Sequence, residues 1–200
     1  MTIVWRRGVI RRGGAAPERG PGEGSWVVKF GGSLLLRPRW PDEFRSLVGM
    51  LAGPRTIVVG GGAIVDGLRS IDAASPRSPE LMHRLAIDAM GLTARLVADA
   101  AGLPITAVPV ASSGVAVLDG ASWLTADGHA AALPVGWHVT SDSLAAAVAA
   151  SCGAGLLLAK SVPPPTLDLP GLAAAGWIDA FFPTAAASLA DIDWAAPAVR

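Results

Sequence analysis

The feature that most constrains this chain is a repeated unit: a β-branched run, then a glycine cluster, then an apolar segment. The first copy is Val27-Val28-Lys29-Phe30-Gly31-Gly32-Ser33, followed by a Leu-rich run. The second is Thr56-Ile57-Val58-Val59, ending in Gly60-Gly61-Gly62 before Ala63-Ile64-Val65. β-branched residues favour strands, and glycines let the backbone turn tightly and bring N–H groups close to an anion. Two strand-to-glycine-to-helix units in succession are what a parallel sheet presents at the carboxyl edges of its strands, where open α/β sheets bind ligands. A helix opening just after such a turn adds its positive dipole end to the same place. The pair of units therefore predicts an α/β fold with a phosphate-type site at one sheet edge.

The basic residues sharpen this expectation. Of sixteen Lys and Arg residues only two are Lys, namely Lys29 and Lys160, and both end strand-like runs. A chain so biased to Arg keeps Lys where a compact ammonium is wanted and a planar guanidinium does not fit. The apolar fraction of 52% supplies a core, and a formal net charge of zero gives no global reason to bind nucleic acid or an acidic membrane. The single cysteine, Cys152, excludes an intramolecular disulfide framework and fits a reducing, cytoplasmic setting. The most apolar run, Leu144 to Ala159, is interrupted by Gly153 and Gly155 and reads as a helix followed by a strand rather than a membrane span.

In order, residues 1–24 are rich in Arg, Gly and Pro and read as a flexible arm ahead of one domain, 25–200. Strands are expected at 26–30, 56–59, 103–110, 115–118, 155–159 and 178–182. Helices are expected at 42–52, from 63 to about 70, at 79–101, 144–151 and 171–175. Ser78-Pro79-Glu80 marks the start of the longest helix, as an N-cap followed by proline in the first turn. Asp142 also stands at a helix start, where an acid often serves only the helix dipole. No spacing of His, Asp and Cys suggests a metal site.

In this arrangement the chain resembles the amino acid kinase superfamily, which includes acetylglutamate, aspartate, uridylate and isopentenyl phosphate kinases. The matching pieces are Lys29-Phe30-Gly31-Gly32-Ser33, Val58-Val59-Gly60-Gly61-Gly62, Thr140-Ser141-Asp142-Ser143-Leu144-Ala145-Ala146 and Leu156-Leu157-Leu158-Ala159-Lys160-Ser161-Val162. The short length and the run His83-Arg84-Leu85-Ala86-Ile87-Asp88-Ala89-Met90 look most like the small aminomethylfuran phosphate kinases of methanofuran biosynthesis. The resemblance implies a three-layer α/β sandwich with a mainly parallel central sheet. It implies ATP and Mg2+ as cofactors and transfer of a phosphoryl group to a small phosphorylated acceptor, with no nucleic-acid or membrane partner; homo-oligomers occur in such families. Catalysis would fall to Lys29, Asp142 and Lys160, nucleotide binding to Gly31, Gly32, Ser33 and Ser161, and acceptor binding to Gly60, Gly61, Gly62 and His83. Two alternatives stand beside it: a kinase of the same fold acting on a carboxylate, and a non-catalytic ligand-binding relative. Many relatives carry an acid in the loop after the buried strand, where this chain has Lys160-Ser161 and, soon after, Pro163-Pro164-Pro165.

Overall fold

A computed structural model describes residues 3–10, 24–126, 129, 133–190 and 192–198. Its centre is a seven-stranded sheet of β1 (Trp5–Val9), β2 (Trp26–Phe30), β3 (Arg55–Val59), β4 (Ile105–Thr106), β5 (Val115–Leu118), β6 (Gly155–Ala159) and β7 (Ile192–Pro197). The order across the sheet is β1-β7-β6-β2-β3-β5-β4, and every pairing is parallel except β1 with β7. The expected mainly parallel α/β architecture is therefore present.

Period-2 alternation explains why two cores form. Val27, Val58, Leu156 and Leu158 point to one face, where they join the helix α5 (Ser141–Cys152) and the short helices α6 (Leu169–Ala174) and α7 (Phe182–Ala185). Val28, Phe30, Ile57, Val59 and Leu157 point to the other, where they meet α1 (Trp40–Gly49) and the second half of α3 (Pro79–Ala101). A strand buried on both faces reads as a continuous apolar run, and β6 is buried at all five positions. Lys29 shares its face with Val27, so its side chain points toward α5 at the carboxyl end of β2.

Helix limits follow the capping chemistry. Ser78 accepts from the Leu81 N–H at the start of α3, and Gly102 ends it in the left-handed conformation at φ 66°. Thr140, rather than Asp142, caps α5. A turn of 3-10 helix, Gly32–Leu36, follows β2. The helix after the second glycine cluster, α2 (Gly62–Ala74), runs a turn beyond its expected end, and a further helix, α4 (Gly120–Thr125), stands on the Asp119 cap.

Three expectations need correction. Residues 5–9, placed in the flexible arm, form strand β1. Trp5 and Ile10 are buried, Trp5 donates to the Glu43 carbonyl at 3.2 Å, and Arg7 is paired with Asp193 of β7. Residues 11–23 of that arm lie outside the described residues. The strand expected at 178–182 is instead a turn leading into α7, and the last strand is β7, whose six residues are all buried. The run 103–110 pairs only at Ile105–Thr106, on the edge of the sheet, where its prolines are tolerated.

Candidate functional site

The sheet register brings the two lysines together. β2 and β6 are neighbours, with Phe30 opposite Ala159, so Lys29 and Lys160 leave adjacent strand ends. The first turn of α5 then inserts Asp142 between them. Lys29 Nζ lies 2.9 Å from Asp142 Oδ1, and Lys160 Nζ lies 2.6 Å from Oδ2. Lys29 and Asp142 are 6% and 4% exposed, which sets this trio apart from the surface pairs such as Arg69–Asp66. Burial opposes ionisation of Asp142, but the Lys29 and Lys160 ammonium groups outweigh it and hold the carboxyl below its usual range. Burial and the nearby Lys29 push Lys160 from 10.5 down to about 8, against the pull of Asp142 and Asp179. The Lys160 ammonium also donates to the Trp177 carbonyl and sits 4.9 Å from the centroid of the Trp177 ring.

The glycine clusters meet back to back beside this trio. A Cβ on Gly32 would fall 2.1 Å from Gly62 N and 2.6 Å from Gly60 O, so only glycine permits the approach. Gly62 itself turns at φ 53°, outside the range that other residues adopt readily. The amides are not equally available. Gly31 N–H donates to Ala159 O and Gly60 N–H to Phe30 O, each at 2.9 Å, so these two serve the sheet and cannot serve an anion. The amides that open the next segments, at Gly32 and Ser33 and at the start of α2, have no partner within their own helices. Ser33 Oγ donates to Ser161 Oγ at 3.2 Å, joining the first glycine loop to the loop after β6.

One cavity of about 620 Å³ contains all of this. Its walls include each residue singled out from the sequence: Lys29, Gly31, Gly32, Ser33, Gly60, Gly61, Gly62, His83, Asp142, Lys160 and Ser161. His83 stands on the first turns of α3, in the cavity wall beside Gly136 and His138, whereas the α3 residue next to Gly61 is Met90. Burial pushes the His83 imidazole below the usual value and the neighbouring His138 adds to that, while a hydrogen bond with the Gly136 backbone opposes it. Sequence reasoning did not find four other wall residues. Trp137 donates to Asp72 at 2.8 Å and lies under the Arg69 guanidinium; Trp177 touches Lys160; His138 and Asp179 complete the wall. No local pattern announces them, because each is recruited from an irregular segment by a tertiary contact.

No family profile matches the sequence, and no curated protein matches it. Among solved structures the chain is similar to a uridylate kinase from Archaeoglobus fulgidus, at 19% identity and a TM-score of 0.48, over 72% of this chain and 69% of that one. It is also similar to an aspartate kinase from Synechocystis, at 18% identity and a TM-score of 0.46, over 69% of this chain but only 28% of that one. At such scores the likeness bears no weight, and the function has to be argued from the geometry of the site itself.

Proposed function

We propose that this protein is a kinase that transfers the γ-phosphoryl group of ATP to a small phosphorylated acceptor. The observation that carries the reading is the Lys29–Asp142–Lys160 trio, buried at Lys29 and Asp142 and half-buried at Lys160, set beside two glycine turns in one cavity. Phosphoryl transfer spreads negative charge over three oxygens in its transition state, so a protein accelerates it by positioning cations and N–H donors. Two ammonium groups held by one carboxylate keep a net positive charge where that charge develops, and burial strengthens the interaction. Lys29 stabilises the transferring group, Lys160 the nucleotide side, and Asp142 fixes both. The Lys160-Ser161 departure from the familiar pattern loses an acid but places its lysine in the trio, which favours turnover over a purely ligand-binding role.

Magnesium would neutralise the nucleotide phosphates. Asp142 has an ammonium against each of its oxygens, and the described residues hold no cluster of three His, Cys, Asp or Glu side chains. The ion therefore suits a site made mainly of phosphate oxygens and water, as magnesium commonly prefers. At the acceptor end, the start of α2 suits a phosphate, His83 adds an imidazole to the same cavity wall, and the face of Trp137 not covered by Arg69 suits a ring. An aminomethylfuran phosphate is the narrowest acceptor of that kind.

The test is acceptor-dependent ADP formation with Mg–ATP and a panel of phosphomonoesters and carboxylates. Lys29→Met should fold and lose turnover at least a hundredfold. His83→Ala should raise KM for the phosphorylated acceptor about tenfold, or about 1.4 kcal/mol, and leave KM for ATP unchanged. Turnover surviving in Lys29→Met would remove the reading, and an unchanged acceptor KM would move the acceptor away from His83.

A further inference from the structure

Asp179 is not part of the trio, yet it receives more hydrogen bonds than any member of it. It sits on the turn between Trp177 and α7. Its Oδ2 accepts from Thr140 N–H at 3.0 Å, Thr140 Oγ1 at 2.8 Å and Ser143 N–H at 3.0 Å. Its Oδ1 accepts from Ser143 Oγ, from Phe181 N–H at 3.1 Å and from Phe182 N–H at 2.9 Å. Thr140 and Ser143 flank Asp142 in sequence and open α5. The Thr140 hydroxyl that donates to Asp179 also accepts from Asp142 N–H at 3.2 Å, so one relay links the two acids. Two residues earlier on the same turn, the Trp177 carbonyl accepts from Lys160.

We propose that Asp179 is the positioning residue of this site: it clamps Thr140 and Ser143 so that Asp142 stands between the two lysines. An ordinary N-cap satisfies one or two amides, and Thr140 already fills that role for α5. A second carboxylate gripping both sides of Asp142 does more, because it ties the helix start to the turn that holds Lys160. Its charge also acts on that lysine. The titratable groups facing Lys160 are Lys29 from β2, Asp142 from α5 and Asp179 from the turn; the first disfavours the ammonium and the two acids favour it. The catalytic meaning of the clamp rests on the phosphoryl-transfer reading, but the clamp itself is observable without turnover.

The chain's two lysines make the measurement clean, since both belong to the trio. Protein carrying 13C-labelled lysine shows two side-chain resonances, which can be assigned with Lys29→Met and titrated between about pH 6 and 11. Asp179→Asn keeps the shape, removes the charge and weakens the acceptor. In a folded Asp179→Asn protein, the Lys160 midpoint should fall by at least about half a pH unit, and the Lys29 resonance should shift as Asp142 moves. An unchanged Lys29 resonance would overturn the proposal, because the charge of Asp179 acts on Lys160 whether or not Asp142 moves. Should Asp179→Asn fail to fold, Thr140→Val and Thr140→Ser decide: the first should shift the Lys29 resonance and the second restore the wild-type value, and any other pattern refutes the clamp. A changed Lys29 resonance in a protein whose wild type shows no acceptor-dependent turnover would uphold the clamp and sink the kinase reading.

Discussion

Alanine at Gly32 tests the back-to-back packing of the glycine turns directly. The new Cβ would lie 2.1 Å from Gly62 N, 2.4 Å from Gly62 Cα and 2.6 Å from Gly60 O. All three obstacles are backbone, so no rotamer change relieves them. Gly62 is already at φ 53° and Gly60 is bonded to β2, so neither can withdraw cheaply. Overpacking of this kind costs about 1–3 kcal/mol, and a backbone obstacle puts the value toward the upper end. The same substitution at Gly91 meets nothing within 4 Å in the middle of α3, and there it should stabilise by about 0.5–1 kcal/mol through helix propensity. Chemistry is identical at the two positions, so the opposite signs isolate the steric term. In a protein of 200 residues, where each kcal/mol moves Tm by about 2–4 °C, Gly32→Ala should melt roughly 3–10 °C lower and Gly91→Ala slightly higher than wild type. Urea unfolding followed by circular dichroism gives the free energies, provided m is unchanged. A Gly32→Ala protein as stable as wild type would show that the two turns do not touch.

Lys160 makes a pH prediction. Its folded value of about 8 lies below the ordinary 10.5, so between those values the unfolded chain holds a proton that the folded chain has released, and stability should rise with pH. Cys152, whose thiol burial raises, acts the opposite way, so the comparison is wild type against Lys160→Met. The stability difference should grow in favour of wild type from pH 8 to 10, and a flat difference would place Lys160 in water. Removal of residues 3–10 should destabilise the fold by at least about 3 kcal/mol, because buried side chains such as Ile10 are worth about 1.5–3 kcal/mol each. An unchanged urea midpoint would mean that β1 does not dock.

What was legible in the sequence is what local grammar encodes. Lys29, Lys160 and the glycine clusters stand at strand ends, and strands buried on both faces announce themselves by composition. Asp142 was legible through Thr140-Ser141-Asp142-Ser143 at a helix start, and the resemblance already grouped it with Lys29 and Lys160, the two lysines it is paired with. The missed elements depend on distant partners. Trp5–Val9 gains its strand from Ile192–Pro197, and an arginine-bearing segment looks like solvent-exposed chain until the Arg7 side chain pairs with Asp193. Trp177 to Phe182 carries strand-forming residues, but the Asp179 carboxylate captures the Phe181 and Phe182 amides and turns the chain. The assignment of Gly31 to nucleotide binding failed at the amide, because its N–H completes the sheet instead.

The pairing of β1 with β7 has a temporal consequence. Trp5 and Pro197 are partners about 190 residues apart, so β1 leaves the ribosome long before the strand it pairs with. At synthesis rates of about 5–20 residues per second, it waits on the order of 10–40 s for its partner. Through that interval its own unpaired edge must avoid other chains, and charged side chains are a usual defence of such edges. Arg6 and Arg7 supply that defence, and Arg7 gives up its freedom only when Asp193 arrives.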